Sequence, residues 1–457
     1  MVCIYKDYVT KLQNKLRVGE SFDIVKREIE SKNGSFSTLF YIDNFLDNDV
    51  FERILSFIIR YEEKAPLLDC LPFGEMGYTT DIDTAVTRIL SGAVAVVCEN
   101  GDKIALLYVR KYPNRSIEEP ENEKVLKGPR DGFGESMATN TILIRRRIKN
   151  PNLVFKTFSL GRMTKTDVAV CYLSDKVDRK FLSVVLKRLE NMDVSTLSFG
   201  EQSIAEQLVK TRWYNPFPKF RFTERPDSAA AMVLEGSVVI ICDNTPEVLI
   251  LPTSIFDFLQ EADDFYLPSF TATYFRAVRL LICIFSIFIL PLWYMFITNP
   301  SLLPSWLSFF EVKEFTVIPV LVQIFIVELI IDGLKIASLN TPKAFGNSFS
   351  VIAGLILGDM AVNIGWFIPE VILCLALITI ANFSQPSYEL GYALKFMRIF
   401  LTVMVALFNV WGFIIGSIAI PVFIVTNKTV EGGRGYLYPL IPFNRKALKR
   451  FFIRVRL

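Results

Sequence analysis

The chain has 457 residues, 51% of them hydrophobic, and its 50 Lys and Arg against 47 Asp and Glu leave a net charge of +3. A mean hydropathy of +0.36 is unusual for a soluble chain of this length and is expected of one with several membrane spans. There is no histidine, which removes the commonest general base and the commonest metal ligand together. The seven cysteines sit singly, without CxxC or any paired spacing, an arrangement that argues for a reducing compartment and against structural zinc.

The amino terminus, "MVCIYKDYVTKLQNKLRVGESFDIVKREIE", is too charged to hold the apolar core of a secretory signal, so the first domain is expected to stay in the cytoplasm. "TLFYIDNFLDNDVFERILSFI" (38–58) reads as a strand followed by an amphipathic helix. "DIDTAVTRILSGAVAVVCENGDKIALL" (81–107) reads as helix, glycine, buried strand, Asn-containing turn and strand. Both patterns return. "VAVCYLSDKVDRKFLSVVLKRL" (168–189) repeats the first, and "RPDSAAAMVLEGSVVIICDNTPEVLIL" (225–251) repeats the second without gaps at an offset of 144. The shared residues are Asp83/Asp227, Ala85/Ala229, Leu90/Leu234, Gly92/Gly236, Val94/Val238, Cys98/Cys242 and Asn100/Asn244. Two related α/β subdomains are expected, over residues 1–150 and 151–270, forming a cytosolic head.

Between the copies lies "LKGPRDGFGESMATNTILIRRRIKNPNL" (126–153), whose glycines precede a helix that ends in three arginines. A phosphate-binding loop of the Walker type needs Lys and then Ser or Thr after its last glycine, yet Gly134 is followed by Glu135. A dinucleotide loop needs a preceding strand and GxGxxG spacing, and neither is present. The stretch is therefore expected to be a structural connector. Asp131 and Glu135 beside Arg145, Arg146 and Arg147 suit an ion-pair network that ties the subdomains together or holds neighbouring subunits.

From Tyr274 onward apolar runs dominate, and a helical membrane domain is expected over 271–427. "AVRLLICIFSIFILPLWYMFIT" (277–298) is long enough to cross a bilayer, with Arg276 and Arg279 marking its cytoplasmic end. An external-looking loop with Glu311 and Glu314 leads to "FTVIPVLVQIFIVELIIDGLKIASLNTP" (315–342), which carries Gln323, Glu328 and Asp332. Residues 349–383 suit a helical hairpin turning near 365–369, and "IFLTVMVALFNVWGFIIGSIAIPVFIVT" (399–426) has no charge. Five full spans would leave the tail of 428–457, with eight Lys or Arg and one Glu, on the outside, contrary to the usual charge bias. Four crossings plus one re-entrant piece, with head and tail both cytosolic, is the expected count, and the re-entrant piece can be any of the apolar segments.

Several of these stretches resemble one known family over nearly the whole chain: "GPRDGFGESMATNTILIRRRIKNPNL", "GRMTKTDVAVCYL", "NPFPKFRFTERPDSAAAMVLEGSVVIICDNTPEVLILPTSIFDFLQEADDFY", "GLILGDMAVNIGWFIPEVIL" and "ANFSQPSYELGYALKFMRIF". They are similar to the A subunit of the GerA-type spore-germination receptors, with the wording of the last two closest to the SpoVAF branch. The resemblance implies a multi-pass protein of the inner membrane of bacterial endospores, acting during germination in oligomeric, ion-conducting assemblies that release monovalent cations. It also implies other spore-germination membrane proteins as partners.

The residues agree with that role in having no catalytic constellation, no metal or cofactor motif, and polar groups within apolar spans. Ionisable groups cost roughly 2.5–3.5 kcal/mol at mid-helix, so they face a cavity or a partner. The ion-pathway candidates are Glu328 and Asp332, spaced i, i+4 on one helical face, Asp359 and Asn363 with the same spacing, and Glu370. The alternative is pairing with Lys335, Lys343, Lys395 or Arg398, or a place near the interfaces. Gly354 and Gly358 form a GxxxG pair that suits helix packing. The tail "FNRKALKRFFIRVRL" interleaves basic and aromatic residues, which favours an anionic lipid surface over nucleic acid. Three functions are weighed: a homo-oligomeric cation channel subunit, a non-conducting scaffold for germination receptors, and a secondary transporter, the last disfavoured by a short membrane part without a visible repeat.

Overall fold

A computed structural model describes residues 2–62, 67, 71, 73–111, 120, 123–209, 214–303, 305, 312, 318–340, 361–427, 429–430 and 435–453. The chain divides into two units: Met1–Thr211 with Phe220–Thr253 and Thr429–Arg434, and Arg212–Lys219 with Ser254–Lys428 and Gly435–Leu457.

The first unit is built from two five-stranded antiparallel sheets of the same topology. Strands β1 (Ile24–Glu30), β2 (Phe36–Ile42), β3 (Met76–Thr79), β4 (Val94–Cys98) and β5 (Ile104–Leu107) lie in the order β1-β2-β4-β5-β3. In the second sheet β6 (Leu153–Leu160), β7 (Thr166–Leu173), β8 (Arg221–Thr223), β9 (Val238–Cys242) and β10 (Val248–Leu251) lie in the order β6-β7-β9-β10-β8. Helices α1 (Val2–Leu16), α2 (Asn48–Arg60) and α3 (Ile82–Ile89) belong to the first sheet. The connector helix α4 (Met137–Arg147) is followed by α5 (Arg179–Glu190), α6 (Gly200–Leu208) and α7 (Pro226–Leu234) around the second.

The continuous apolar runs in β4 and β9 have a simple cause: both strands are covered on both faces. Val94, Val96 and Cys98 enter one core with α2, while Ala95 and Val97 enter another with α1 and α3. In the second sheet Val238, Ile240 and Cys242 face the core of α5 and α6, and Val239 and Ile241 face that of α4 and α7. The repeat therefore holds at the level of register, with Ser37 opposite Cys98 as Val168 is opposite Cys242. The equivalence is incomplete at the surface, where Leu90 is buried and Leu234 is exposed.

Gly92 and Gly236 each close a helix just before the central strand, at φ +93° and +94°. A side chain there is strained by the left-handed backbone. At Gly236 a Cβ would also stand 2.8 Å from the Lys176 carbonyl oxygen, against 3.2 Å from the Arg110 Cβ at Gly92.

In the second unit α8 (Ser269–Thr298), α9 (Val320–Asn340), α10 (Pro369–Phe383) and α11 (Tyr388–Val425) are apolar, and α12 (Arg445–Phe452) is short and basic. Two of them, α8 and α11, are long and apolar enough to cross a membrane among the described residues, and α10 is a shorter apolar helix.

Helix α11 does not run straight. Asn409 has φ 53° and ψ −130°, and the chain reverses there. The rings of Phe400 and Phe423 lie 5.8 Å apart, where a straight helix would separate residues 23 positions apart by about 34 Å. A Cβ on Gly412 would overlap the Met404 carbonyl oxygen, so the reversal needs a glycine at that point. The uncharged run 399–426, read above as one span, is thus the end of one limb (388–408) and the whole of another (410–425), about 30 and 24 Å long. The reason is local: periodicity cannot show a single residue at positive φ inside an apolar run.

Contacts fix the direction of each helix. Cys283 of α8 meets Gln385, Ser286 meets Arg398, Leu290 and Trp293 share a core with Ile324 and Ile368, and Asn299 pairs with Asn409. So α8 and the first limb of α11 run one way, and α9, α10 and the second limb run the other. The proposed GxxxG pair Gly354/Gly358, Lys343, the loop acids Glu311 and Glu314, and most of the first half of the 349–383 hairpin lie outside the described residues.

Gly236→Ala is expected to destabilise the protein by more than the ~1–2 kcal/mol that a left-handed backbone alone costs, and Gly92→Ala by about that amount, read from thermal unfolding of the purified protein. Parent-like stability of both variants would show that the two turns relax freely. The buried thiols of Cys98 and Cys242 have their pKa pushed up by burial to about 11 and about 12. Both are expected to resist alkylation at neutral pH until the chain is unfolded, as mass spectrometry of the labelled peptides can show.

Candidate ion-pathway site

Glu328 and Asp332 lie one turn apart on α9 and face Lys395 and Arg398, three residues apart on α11. Arg398 donates to Glu328 Oε1 from Nε at 3.1 Å and Nη2 at 2.7 Å, and its Nη1 donates to the Ser286 carbonyl of α8 at 3.1 Å. Lys395 Nζ lies 2.9 Å from Glu328 Oε2 and 2.6 Å from Asp332 Oδ2. Arg398 is 1% exposed and Glu328 5%, whereas the Asp332 side chain is 36% exposed. One ion-pair cluster thus joins three helices, and its carboxylates are held by fixed cations.

A further cation completes the cluster. Lys335, one turn beyond Asp332, has its Nζ 4.3 Å from the Tyr392 ring centroid, 5.0 Å from Tyr388 and 5.9 Å from Phe383. Aromatic faces attract an ammonium through their quadrupole, so these rings tether the end of α9 to the α10–α11 turn. A cavity of about 50 Å³ opens among these groups, lined by Asp332, Lys335, Thr379, Asn382, Tyr388 and Lys395. It is roomy enough for water, and Asn382 Oδ1 is buried without a partner among the described residues.

Gln323 deals with a different cost. Fully buried, it donates from Nε2 to the Ile318 carbonyl at 2.7 Å and accepts from the Ile368 amide at 2.9 Å. Backbone groups released at the starts of α9 and α10 are satisfied within the apolar interior, as a membrane environment demands.

The remaining candidates lie apart from this cluster. Asn363 is exposed in the short helix Ala361–Asn363. Glu370 is half-buried in the first turn of α10, where the helix dipole favours a carboxylate. Among the described residues neither shares a hydrogen bond or ion pair with the Glu328 cluster, and Asp359 lies outside them. No group of three or more His, Cys, Asp or Glu poised for a metal ion occurs among the described residues.

In the first unit Arg145 of the connector helix meets a carboxylate that spacing could not reveal. Arg145, 1% exposed, donates to Asp23 at 2.8 and 3.0 Å and to the carbonyls of Asn150 and Leu153 at 3.2 and 2.9 Å. Asp23 lies 122 residues away, just before β1. Arg147 holds Asp131 through both carboxylate oxygens at 2.7 and 2.6 Å, within the connector itself. Glu135 contributes its carbonyl to the Asn244 amide at 2.7 Å, and Arg146 is exposed. Ser136 caps α4, and Asn140 clamps Gly134 through its amide and carbonyl. The glycine-rich stretch is occupied with its own packing.

Residues 10–457 match the family model described as Bacillus/Clostridium GerA spore germination protein. The chain is 36% identical to stage V sporulation protein AF of Bacillus subtilis (strain 168), over 97% of this chain and 90% of that protein. It is 29% identical to spore germination protein KA of the same organism, over 97% and 83%. Among solved structures it is similar to the N-terminal domain of the A subunit of the Bacillus megaterium spore germinant receptor GerK3, at 26% identity and a TM-score of 0.40, over 53% of this chain and 92% of that one.

Removing Arg398 leaves a buried carboxylate with less compensation, so Arg398→Ala is expected to cost ~3–5 kcal/mol. The pair change Glu328→Leu with Arg398→Met deletes both charges and is expected to cost much less. Thermal unfolding of the detergent-solubilised protein checks this, and a loss in the double variant equal to the sum of the losses in Glu328→Leu and Arg398→Met alone would show that the two groups are not coupled.

Proposed function

Since the chain belongs to the GerA family of spore germination proteins, we propose that it is a subunit of an oligomeric assembly in the inner membrane of the bacterial endospore that releases monovalent cations during germination. The observation that carries this reading is the charged cluster of Glu328, Asp332, Lys395 and Arg398 around a cavity within apolar helices. Such groups are costly in a bilayer and are kept where they serve a pathway or a partner.

The helix directions support a multi-pass arrangement with both ends on one side. Helix α8 and the first limb of α11 run the same way and so start on one side, and the reversal at Asn409 returns the chain to that side before the basic tail, as the charge bias requires. On this reading the head and the basic tail are cytosolic, facing the spore core, and other germination membrane proteins and further copies of the chain are its partners.

The geometry also gives the pathway a condition. Two carboxylates face three cations, so a passing cation is repelled while Lys395 and Arg398 hold Glu328 and Asp332. The cluster acts as a latch in the closed state, and conduction requires the α9–α11 contact to open. Asp332, whose partner among the described residues is Lys395, is the first carboxylate to become free. A second reading, a non-conducting scaffold that organises germination receptors, is favoured by the same pairing, since every carboxylate of the cluster is neutralised.

In liposomes containing the purified protein, Lys395→Met is expected to raise basal cation flux by freeing Asp332. Asp332→Asn and Asp359→Asn are expected to lower flux and cation-over-anion selectivity with oligomer size in detergent unchanged. No flux in the parent and no change in any variant would leave the scaffold reading standing.

A further inference from the structure

The segment 436–444, "YLYPLIPFN", buries Tyr436 and then turns large apolar side chains outward. Leu440 is 43% exposed, Ile441 59% and Phe443 69%. Asn444 then caps α12 by accepting from the amides of Lys446 and Ala447 at 3.1 and 3.2 Å. The helix is fastened through its last turn: the Phe451 ring packs 4.8 Å from Phe256, and the Phe451 carbonyl accepts from Arg276 Nη1 at 3.1 Å. Arg445, Lys446 and Lys449 face outward.

Arg276 lies in the second turn of α8, one of the helices long enough to span a bilayer. The outward flank of that helix begins with Phe270 and Tyr274 and continues with Leu281 and Phe285, all exposed. An apolar tip, a basic face and the entry of a membrane helix are thus fastened together by one arginine. Water is a poor neighbour for three adjacent large apolar side chains, and a protein partner would leave three outward cations to be matched. An anionic lipid surface satisfies both, because acyl chains accept the tip and headgroups accept the cations.

We propose that residues 440–449 form an interfacial anchor that buries Leu440, Ile441 and Phe443 below the headgroups of anionic phospholipids bound by Arg445, Lys446 and Lys449. Apolar insertion combined with a basic cluster gives firm attachment where either alone gives a weak one. The anchor sets the depth of the α8 entry, since Arg276 transmits its position to that helix. The inference rests on the reading of the second unit as membrane-spanning.

The test uses the full chain in nanodiscs of phosphatidylcholine mixed with phosphatidylglycerol. Photoreactive benzoylphenylalanine replaces Phe443 or, as a control on the second limb of α11, the 64%-exposed Ile418. Both probes are expected to form lipid adducts. Those of the Phe443 probe are expected to be enriched in phosphatidylglycerol beyond its share of the bilayer, and the enrichment is expected to fall several-fold in Arg445→Gln/Lys446→Gln/Lys449→Gln, with about fivefold per charge as the ceiling. Lipid adducts at Ile418 with protein adducts or none at Phe443 would overturn the anchor alone, as would Phe443 adducts without anionic preference. Absence of lipid adducts at both positions would remove the membrane reading and the anchor with it.

Discussion

Between Glu328 and Arg398 two charged side chains are taken out of water inside helices that are otherwise mostly apolar. Neither charge is tolerable there alone, so α9 and α11 are bound to each other in one register, and the Ser286 carbonyl fixes α8 to the same point. Hydrophobic contacts between such helices are non-directional and would allow sliding. A guanidinium with each nitrogen committed does not. The packing of the unit thus depends on one charge-balanced contact, and its neighbours Asp332, Lys395 and Lys335 extend that contact toward the cavity.

The same physical logic recurs in the first unit. Arg145 pairs with Asp23 out of contact with water and takes two carbonyls beside it, so that sequence-distant residues are locked across the joint between the two sheets. The connector also reaches the second copy directly, through the Met137 amide on Asp243 and the Asn244 amide on the Glu135 carbonyl. A duplicated fold needs such asymmetric additions, because two identical halves have no reason to prefer one relative placement. The residues at the joint lie outside the matched stretches or differ in what they bind.

Reversal of the chain at Asn409 links the fold to the proposed topology. The amides of Asn299 and Asn409 bond reciprocally, closing the end of α8 against the tip of the α11 hairpin. Polar side chains there satisfy each other where the helical pattern stops. With a paired tip at one end and Arg276, Asp264 and Arg279 joined by hydrogen bonds at the other, the second unit has polar clasps at both ends of its long helices and one buried clasp between.

Much of the architecture was legible in the residues themselves. The repeat of Gly92 and Gly236, the buried strands after them and the strand–helix pairs 38–58 and 168–189 were visible because local backbone demands and burial on both faces leave regular marks in a sequence. The polar residues of the apolar helices were visible for the opposite reason, as exceptions. Their partners were not: Arg398 lies 70 residues from Glu328 and Arg145 lies 122 from Asp23, and no spacing rule spans such separations. The hairpin at Asn409 was hidden because two limbs of equal hydropathy read as one run. Sequence alone thus determined the repeated strand–helix and helix–strand–turn–strand units and the apolar runs, and tertiary structure decided which charges meet and where the last run folds back, since both depend on contacts that form only when distant segments pack.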